Sequence, residues 1–511
     1  AVIKSIPYVN KPEEITPGVA NWYSSTYYDG NDFANLLVKS REGRPIWLKG
    51  KRDGYTQGGL IPRISTSILN LYNSSRLEGP LQNKTLKPWS DIDKNVSSKL
   101  KEIISRNGEI RILSNTIISP STNAVIKNFI DSFSKEIGSS PKIKHIEYDA
   151  QSYYGIRKAN ENNFGSNFIP SYNFEAAKTL VSINADFLCN WILPSKFSTD
   201  FSKTRKPENG WMSKHFHFES VMSLSGANAD YRGQIKPSQE LDLAQEILNV
   251  LNGKPLDNQF NDDTNAKIVK AVECLKKHRA SSLVIAGSND PNVQMVVNKI
   301  NYELGNYGET INTENQIQLY KGDDLLVKEF KDELLSGSLD GVIFYGTNPV
   351  YSHPDGKEMR DAIANLDLSL SFSEYMDETA SNCKFVCPDH NFLEAWCDHN
   401  PVSNHFSIQQ PLIRPLYNSR QAQESLLVWA GSASRTNSES EVFYDFIQNY
   451  WLENRIGDQA SYFDFSEFWN WTIHNGFSNS DRNLVKSPIN FKDVKVKSFN
   501  NNNSEDWEFV I

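Results

Sequence analysis

"SSLVIAGSNDPNVQMVVNKINYELG", residues 281–305, decides the class of fold. A short apolar run is followed by a polar Gly/Asn/Asp loop. Apolar residues spaced by three and four then mark a helix. The same order recurs on both sides. "EIRILSNTIISPSTNAVIKNFIDSF" (109–133) reads as strand, turn and amphipathic helix, and "KIKHIEYD" (142–149) as the next strand. "NFEAAKTLVSINADFLCNWILPS" (173–195) gives a helix, a strand and another apolar run. "LDGVIFYGTNPVYSHP" (339–354) is a strand ending in a tight loop, and "MRDAIANLDLSLSFSEYMDETA" (359–380) a helix, a strand and a loop. Repeated βα alternation predicts an α/β protein with doubly wound parallel sheets. In such sheets ligands sit beyond the carboxyl ends of the strands, here the loops 287–292, 346–354 and 375–380.

The chain has 511 residues, which implies two to four domains. A hydrophobic fraction of 39% with 12% aromatics is ample for packed cores and excludes a mostly disordered chain. The net charge of −9, with no basic block, excludes nucleic acid as a partner. No run of 18 apolar residues predicts a membrane-crossing helix. "AVIKSIPYVN" (1–10) has no signal-peptide core. "SEDWEFVI" (504–511) stops inside a strand-like run, as expected of part of a longer polypeptide. The expected domains are a small β-rich N-terminal domain (1–92), a discontinuous α/β domain (93–150 and 331–430) and a second α/β domain (151–330). An aromatic-rich helical and loop tail (431–511) follows. Its helices are expected at "YDFIQNYWLENRIG" (444–457) and "YFDFSEFWNWTIHNGF" (462–477), its flexible loop at "SFNNNNSED" (498–506), and its 441–477 stretch suggests a docking surface.

Several residue groups could carry chemistry. Cys383, Cys387 and Cys397 lie near His390 and His399, but "NCKFVCP" places its cysteines in a strand-like run that would not grip one ion, so buried thiols are expected. Five cysteines imply no disulfide framework. His215 and His217 share a strand face in "HFHFES" and are expected to form a structural pair. Glu378, Glu394 and Asp398 could supply paired carboxylates, although a capping or salt-bridge role is the plainer reading. The βα loops could cradle a nucleotide or pterin phosphate. Neither GxGxxG nor GxxxxGK[ST] occurs.

The beginning of the chain holds "WYSSTYYDGNDFANLLVKSREGRPIWLKG" (22–50), whose second half is a hairpin around Gly43. "GGLIPR" (58–63) and "LYNSSRLEGPL" (71–81) follow. Together with "INADFLCNW" (183–191), "SGANAD" (225–230), "IKPSQELDLAQEILNVL" (235–251), "YGTNPVYSHP" (345–354) and "ETASNCKFVCPDHNFLEAWCDHNP" (378–401), this order resembles the molybdopterin-dependent oxidoreductases with an iron–sulfur domain. The resemblance covers roughly residues 15 to 430. It places the four cluster-cysteine positions at Tyr27, Gly30, Ala34 and Ile61, none of which can supply a thiolate. Arg63 matches the family's basic residue between cluster and pterin. A molybdenum ligand would come from "YDAQSYYGIRKAN" (148–160), where Ser152 is the candidate by position.

Within that family the chain is similar to the molybdopterin-like B subunit of bacterial alternative complex III, a quinol-oxidising membrane complex. The resemblance implies a subunit without cofactor or active site of its own, within an oxidoreductase complex. It would scaffold a ferredoxin-like iron–sulfur part beside a multihaem cytochrome and quinol-binding membrane subunits, on the periplasmic side of the inner membrane. Iron–sulfur clusters and haems are expected in those neighbours. Two alternatives are an active molybdenum or tungsten enzyme lacking the N-terminal cluster, and a module that binds a small ligand in the old pterin cleft. In the vestigial loop, Tyr27 and Ile61 are expected to replace metal ligation by apolar packing, each contributing roughly 1.5–3 kcal/mol.

Overall fold

The computed structural model describes residues 16, 18–134, 142–432, 442–458, 464–480, 490–496 and 508. The stretch 1–10, read as having no signal-peptide core, and the loop at 498–506 lie outside these residues, as does the terminal strand (504–511) apart from Glu508.

Two parallel sheets carry the doubly wound pattern. The larger has the order Thr85–Leu86, Leu81–Gln82, Phe385–Val386, Leu368–Ser371, Gly341–Tyr345, Ile110–Ser114, Ile143–Glu147. Its last five strands are parallel, with Gly341 in register with both Leu368 and Ile110. Alternation of side chains splits this sheet between two cores. Ile110, Ile112, Ile343, Leu368 and Leu370 face one, with helices Trp89–Ser105, Pro120–Ser132 and Ala422–Trp429. Leu113, Val342 and Phe344 face the other, with helices Asp324–Leu335 and Gly356–Asn365.

The smaller sheet has the order Tyr231–Gln234, Lys214–Glu219, Thr179–Ile183, Ser282–Ala286, all parallel. Val181, Phe216, Phe218 and Val284 bury one face under helices Glu240–Leu251, Asp262–Lys277 and Pro291–Leu304. Leu180, Leu283 and Ile285 bury the other against Phe174, Phe187, Trp191 and Phe197. These parallel sheets and the small N-terminal sheet give the expected fold class.

The N-terminal sheet is antiparallel, Asn21–Tyr28, Phe33–Arg41, Arg44–Gly50. Arg41 pairs with Arg44 across a two-residue turn in which Glu42 has φ +51° and Gly43 φ +75°. Two successive positive φ values are those of a type I′ turn, which matches strand twist. "WYSSTYYDGNDFA", expected as a loop ahead of the hairpin, is instead a strand and a tight turn.

A five-stranded antiparallel sheet was not expected. Its order is Phe477–Asn479, His405–Gln409, Cys397–Val402, Ile311–Ile317, Ile169–Tyr172. Its strands come from far apart in the chain and two of its pairings are irregular in register. Short strands without a clear alternation leave little trace in a local pattern. Two helices form in the tail, Val442–Asn454 and Phe465–Asn475. Their aromatic faces turn inward: Phe443, Ile447, Trp451, Phe468 and Trp469 belong to the large core. Leu452 and Trp471 stay exposed, so the stretch 441–477 divides between internal packing and surface.

Candidate functional site

A cleft of about 450 Å³ opens beyond the carboxyl ends of strands Ile110–Ser114, Gly341–Tyr345 and Leu368–Ser371. Asn115, Gly346–Asn348, Phe372–Tyr375 and Asp389–Phe392 line it, and Tyr27, Tyr28 and Asp29 of the N-terminal sheet close one side. Loops 346–354 and 375–380 therefore reach the cleft. Loop 287–292 does not: Asn289 accepts from the Gly155 N–H at 2.7 Å and donates to Asp324 at 2.9 Å. A Cβ on Gly155 would overlap the Asn289 backbone, so the loop is packed onto the Tyr154–Phe164 helix.

Asn115 connects the cleft to the N-terminal turn. Gly30 (φ +91°) and Gly346 (φ +62°) both press against its side chain. A Cβ at position 30 would lie 2.9 Å from Asn115 Cβ and overlap its amide, and one at 346 would lie 2.8 Å from Oδ1. Both glycines answer a backbone and a space requirement at once. Nothing in the local sequence singled out Asn115, because its partners are 85 and 231 residues away, counted as 115−30 and 346−115.

The four positions that the resemblance assigns to cluster cysteines have distinct surroundings. Tyr27 pairs directly across the sheet with Ala34. Both are buried with Leu36, Val38, Leu48, Ile64 and Leu71, and Ile61 packs against this cluster. Tyr27 meets Phe392 edge to face at 5.0 Å, while its hydroxyl donates to Asp29 at 2.9 Å. Burial, then the charge of Asp29, raises the Tyr27 phenol well above its ordinary range. Arg63 points at the turn rather than the cleft: Nε donates to Asp32 at 2.7 Å and Asp29 lies 3.6 Å from its guanidinium.

The carboxylates named from sequence go to separate places. Glu378 accepts from Asn348 at 2.7 Å on the surface. Asp398 is buried and accepts from the Ser119 and Ser121 hydroxyls (2.6 and 2.7 Å) and from Trp451 Nε1 (2.9 Å). Glu394 is buried and grips Arg76 through two bonds of 3.1 and 2.6 Å, and Arg76 Nε also lies 3.1 Å from Glu374. Sequence reasoning missed Glu374 and Asp389, which line the cleft. Burial pushes both carboxyls up to about 7, with the charge of Glu374 adding to the rise at Asp389.

That shift has a pH consequence. In the unfolded chain these carboxyls titrate near 4.5 and 3.8. The folded state thus binds more protons between those values and about 7, so stability is full below the lower values and falls as pH rises through about 7. Urea unfolding from pH 4.5 to 8 should show this fall, and Glu374→Gln should flatten it; an unchanged slope in the variant would refute the assignment.

The histidines and thiols are structural. Ser182 Oγ bridges His215 (2.7 Å) and His217 (2.5 Å), and His217 continues to Glu219 at 2.9 Å. Cys383, Cys387 and Cys397 are buried free thiols, Cys397 raised to about 12 by burial. "NCKFVCP" does not form one strand, since only Phe385–Val386 pairs. Among the described residues no group of three His, Cys, Asp or Glu is placed to hold a metal. Ser152 accepts from the Tyr154 N–H at 3.1 Å at the start of a helix and does not line the cleft.

Four carboxylates, Asp29, Glu374, Asp377 and Asp389, line the cleft, and among the described residues no lysine or arginine does. Arg63 and Arg76 stand behind Asp29 and Glu374, and Glu374 and Asp389 carry full charge only above about pH 7, so the lining opposes a phosphate chiefly on the alkaline side.

No protein-family profile matches the chain. Over 94 residues, 18% of this chain, it is 29% identical to the menaquinone reductase, molybdopterin-binding-like subunit of Nitratidesulfovibrio vulgaris; the aligned stretch is 14% of that subunit's length. The structure aligns with acetylene hydratase from Pelobacter acetylenicus at a TM-score of 0.59 and 13% identity, covering 80% of this chain and 69% of that one. The chain thus shares the fold of acetylene hydratase, and over a short stretch it is similar in sequence to a menaquinone reductase subunit named as molybdopterin-binding-like.

Proposed function

We propose that this chain is a scaffold without a cofactor of its own within a quinol-oxidising respiratory complex, of the alternative complex III type. The observation that carries this reading is the N-terminal sheet, where Tyr27 and Ala34 pair as buried apolar neighbours and Gly30 is wedged on Asn115. Thiolates at these positions would have to displace packing that now joins the sheet to the cleft. The acidic lining adds support, because it disfavours a phosphate-bearing pterin.

In this reading the chain holds a ferredoxin-like iron–sulfur part against a multihaem cytochrome and quinol-binding membrane subunits, on the periplasmic face. It docks peripherally: among the described residues no helix is long and apolar enough to cross a membrane. Elemental analysis and visible spectroscopy of the purified chain test the proposal. The expected result is molybdenum, tungsten and iron far below stoichiometry. Stoichiometric molybdenum or tungsten, or an iron–sulfur absorbance, would favour the enzyme reading instead.

A further inference from the structure

Lys39, Arg41, Arg44 and Lys49 form no basic block in the sequence, yet the register of the N-terminal sheet gathers them. Trp22 and Trp47 both pair with Lys39, and Arg41 pairs with Arg44. Paired residues share a face of a sheet, as do residues two apart on one strand. Ile46 is the extra residue of a bulge, which keeps Arg44 on the side of Trp47 and Lys49. Two indoles and four cations therefore stand on one side. The other side holds Tyr27, Ala34, Leu36, Val38 and Leu48 and is buried. The side with the cations is covered at its far end, where the Ser24 and Thr26 hydroxyls donate to the His474 and Ile408 carbonyls at 2.9 and 3.1 Å. Its near end is open among the described residues: Trp22 and Trp47 are 45% and 61% exposed, and Arg41, Arg44 and Lys49 are exposed too.

No carboxylate stands on this side of the three strands. Lys39 Nζ lies 5.7 Å from the Trp22 ring, and Arg41 lies 4.0 Å from Glu42 at the hairpin tip. Among the described residues Lys39, Arg44 and Lys49 make no ion pair. This concentration of positive charge belongs to a chain whose net charge is −9, so it is a local feature. Acidic groups elsewhere are screened beyond about 8 Å at physiological ionic strength. The patch is also a surface rather than a pocket. Neither the cleft nor the smaller cavity of about 270 Å³ beside Tyr23 and Ser40 is lined by any of the six side chains.

This composition separates two kinds of partner. Protein interfaces favour Trp and Arg but deplete Lys. The headgroup layer of an anionic bilayer takes all three, because indoles settle at the water boundary while Lys and Arg meet the phosphates. We propose that this side of the N-terminal sheet docks the chain on an anionic phospholipid surface. Trp22 and Trp47 enter the headgroup layer, and Lys39, Arg41, Arg44 and Lys49 face the lipid phosphates. The inference goes beyond the scaffold reading and holds whether or not the chain carries a cofactor.

The test is co-sedimentation of the purified full chain with vesicles of phosphatidylcholine and phosphatidylglycerol in equal parts, at low and high salt. Vesicles of phosphatidylcholine alone are the neutral control. Binding is expected to the anionic vesicles only, and to be lost at high salt. The double variant Arg44→Glu with Lys49→Glu should weaken it about tenfold or more, and Trp47→Ala about fivefold. These side chains are exposed, so both variants should keep the Tm of the parent. Polyglutamate, a soluble polyanion, stands for an acidic protein partner and should bind far more weakly than the vesicles. No sedimentation with anionic vesicles, equal sedimentation with neutral ones, or parent-like binding by either variant would each overturn the proposal. Polyglutamate binding as tight as that of the vesicles would assign this side to an acidic protein instead. Metal content of the same sample bears on the scaffold reading alone, so the two proposals fail separately.

Discussion

Arg76→Met lowers the unfolding free energy by about 3–5 kcal/mol, because it strands a buried charge. Glu394 is fully enclosed and depends on Arg76 for two of its hydrogen bonds. The Leu416 N–H (2.8 Å) and the Asn391 N–H (3.0 Å) provide two others. Those backbone donors would remain, but no counter-charge would. Glu374 would lose its cation as well. Arg76→Lys should recover only part of the loss, since an ammonium cannot reproduce the planar fork. The double variant Arg76→Met with Glu394→Met should be less destabilised than the sum of the two single changes. Urea denaturation of the four variants and the parent gives the answer. A loss below about 1 kcal/mol for Arg76→Met would mean that the pair is screened like a surface ion pair.

Gly30→Cys comes second, with an expected loss of about 2–4 kcal/mol from overpacking and an unfavourable backbone conformation. This change restores the thiol that the resemblance assigns to position 30. The new Cβ would meet Asn115 at a residue with φ +91°. Combining it with Asn115→Ala should return the steric share and leave the backbone share. Reconstitution of Gly30→Cys with iron and sulfide should give no cluster, because Tyr27, Ala34 and Ile61 offer no thiolate. If the variant unfolds like the parent, the turn is more compliant than the Gly30–Asn115 approach implies.

The sequence was most informative where a pattern is local and repeated. Strand–loop–helix units such as 281–305 form as expected, because a buried strand and an amphipathic helix each advertise a fixed period. The two-residue turn at Glu42–Gly43 was likewise visible in a hairpin with glycine at its tip. The five-stranded antiparallel sheet was not, since most of its strands are not neighbours in the sequence: Ile169 pairs with Ile317, Ile317 with Val402 and His405 with Asn479. Nor was the role of the tail aromatics: their spacing predicts helices, but only packing shows that Trp451 reaches the buried Asp398.

The candidate site divides in the same way. "LYNSSRLEGPL" and "FLEAWCD" are legible as separate motifs, yet the bond between Arg76 and Glu394, 318 residues apart, belongs to the fold. By itself the sequence determined the class of fold and the absence of a phosphate-loop motif, because these depend on residue type and short-range spacing. Tertiary structure alone decided that Tyr27 faces Ala34, that Gly30 rests on Asn115, and that four carboxylates share one cleft. The physical reason is that burial and charge clustering are properties of a place in space, assembled here from segments that lie far apart in the chain.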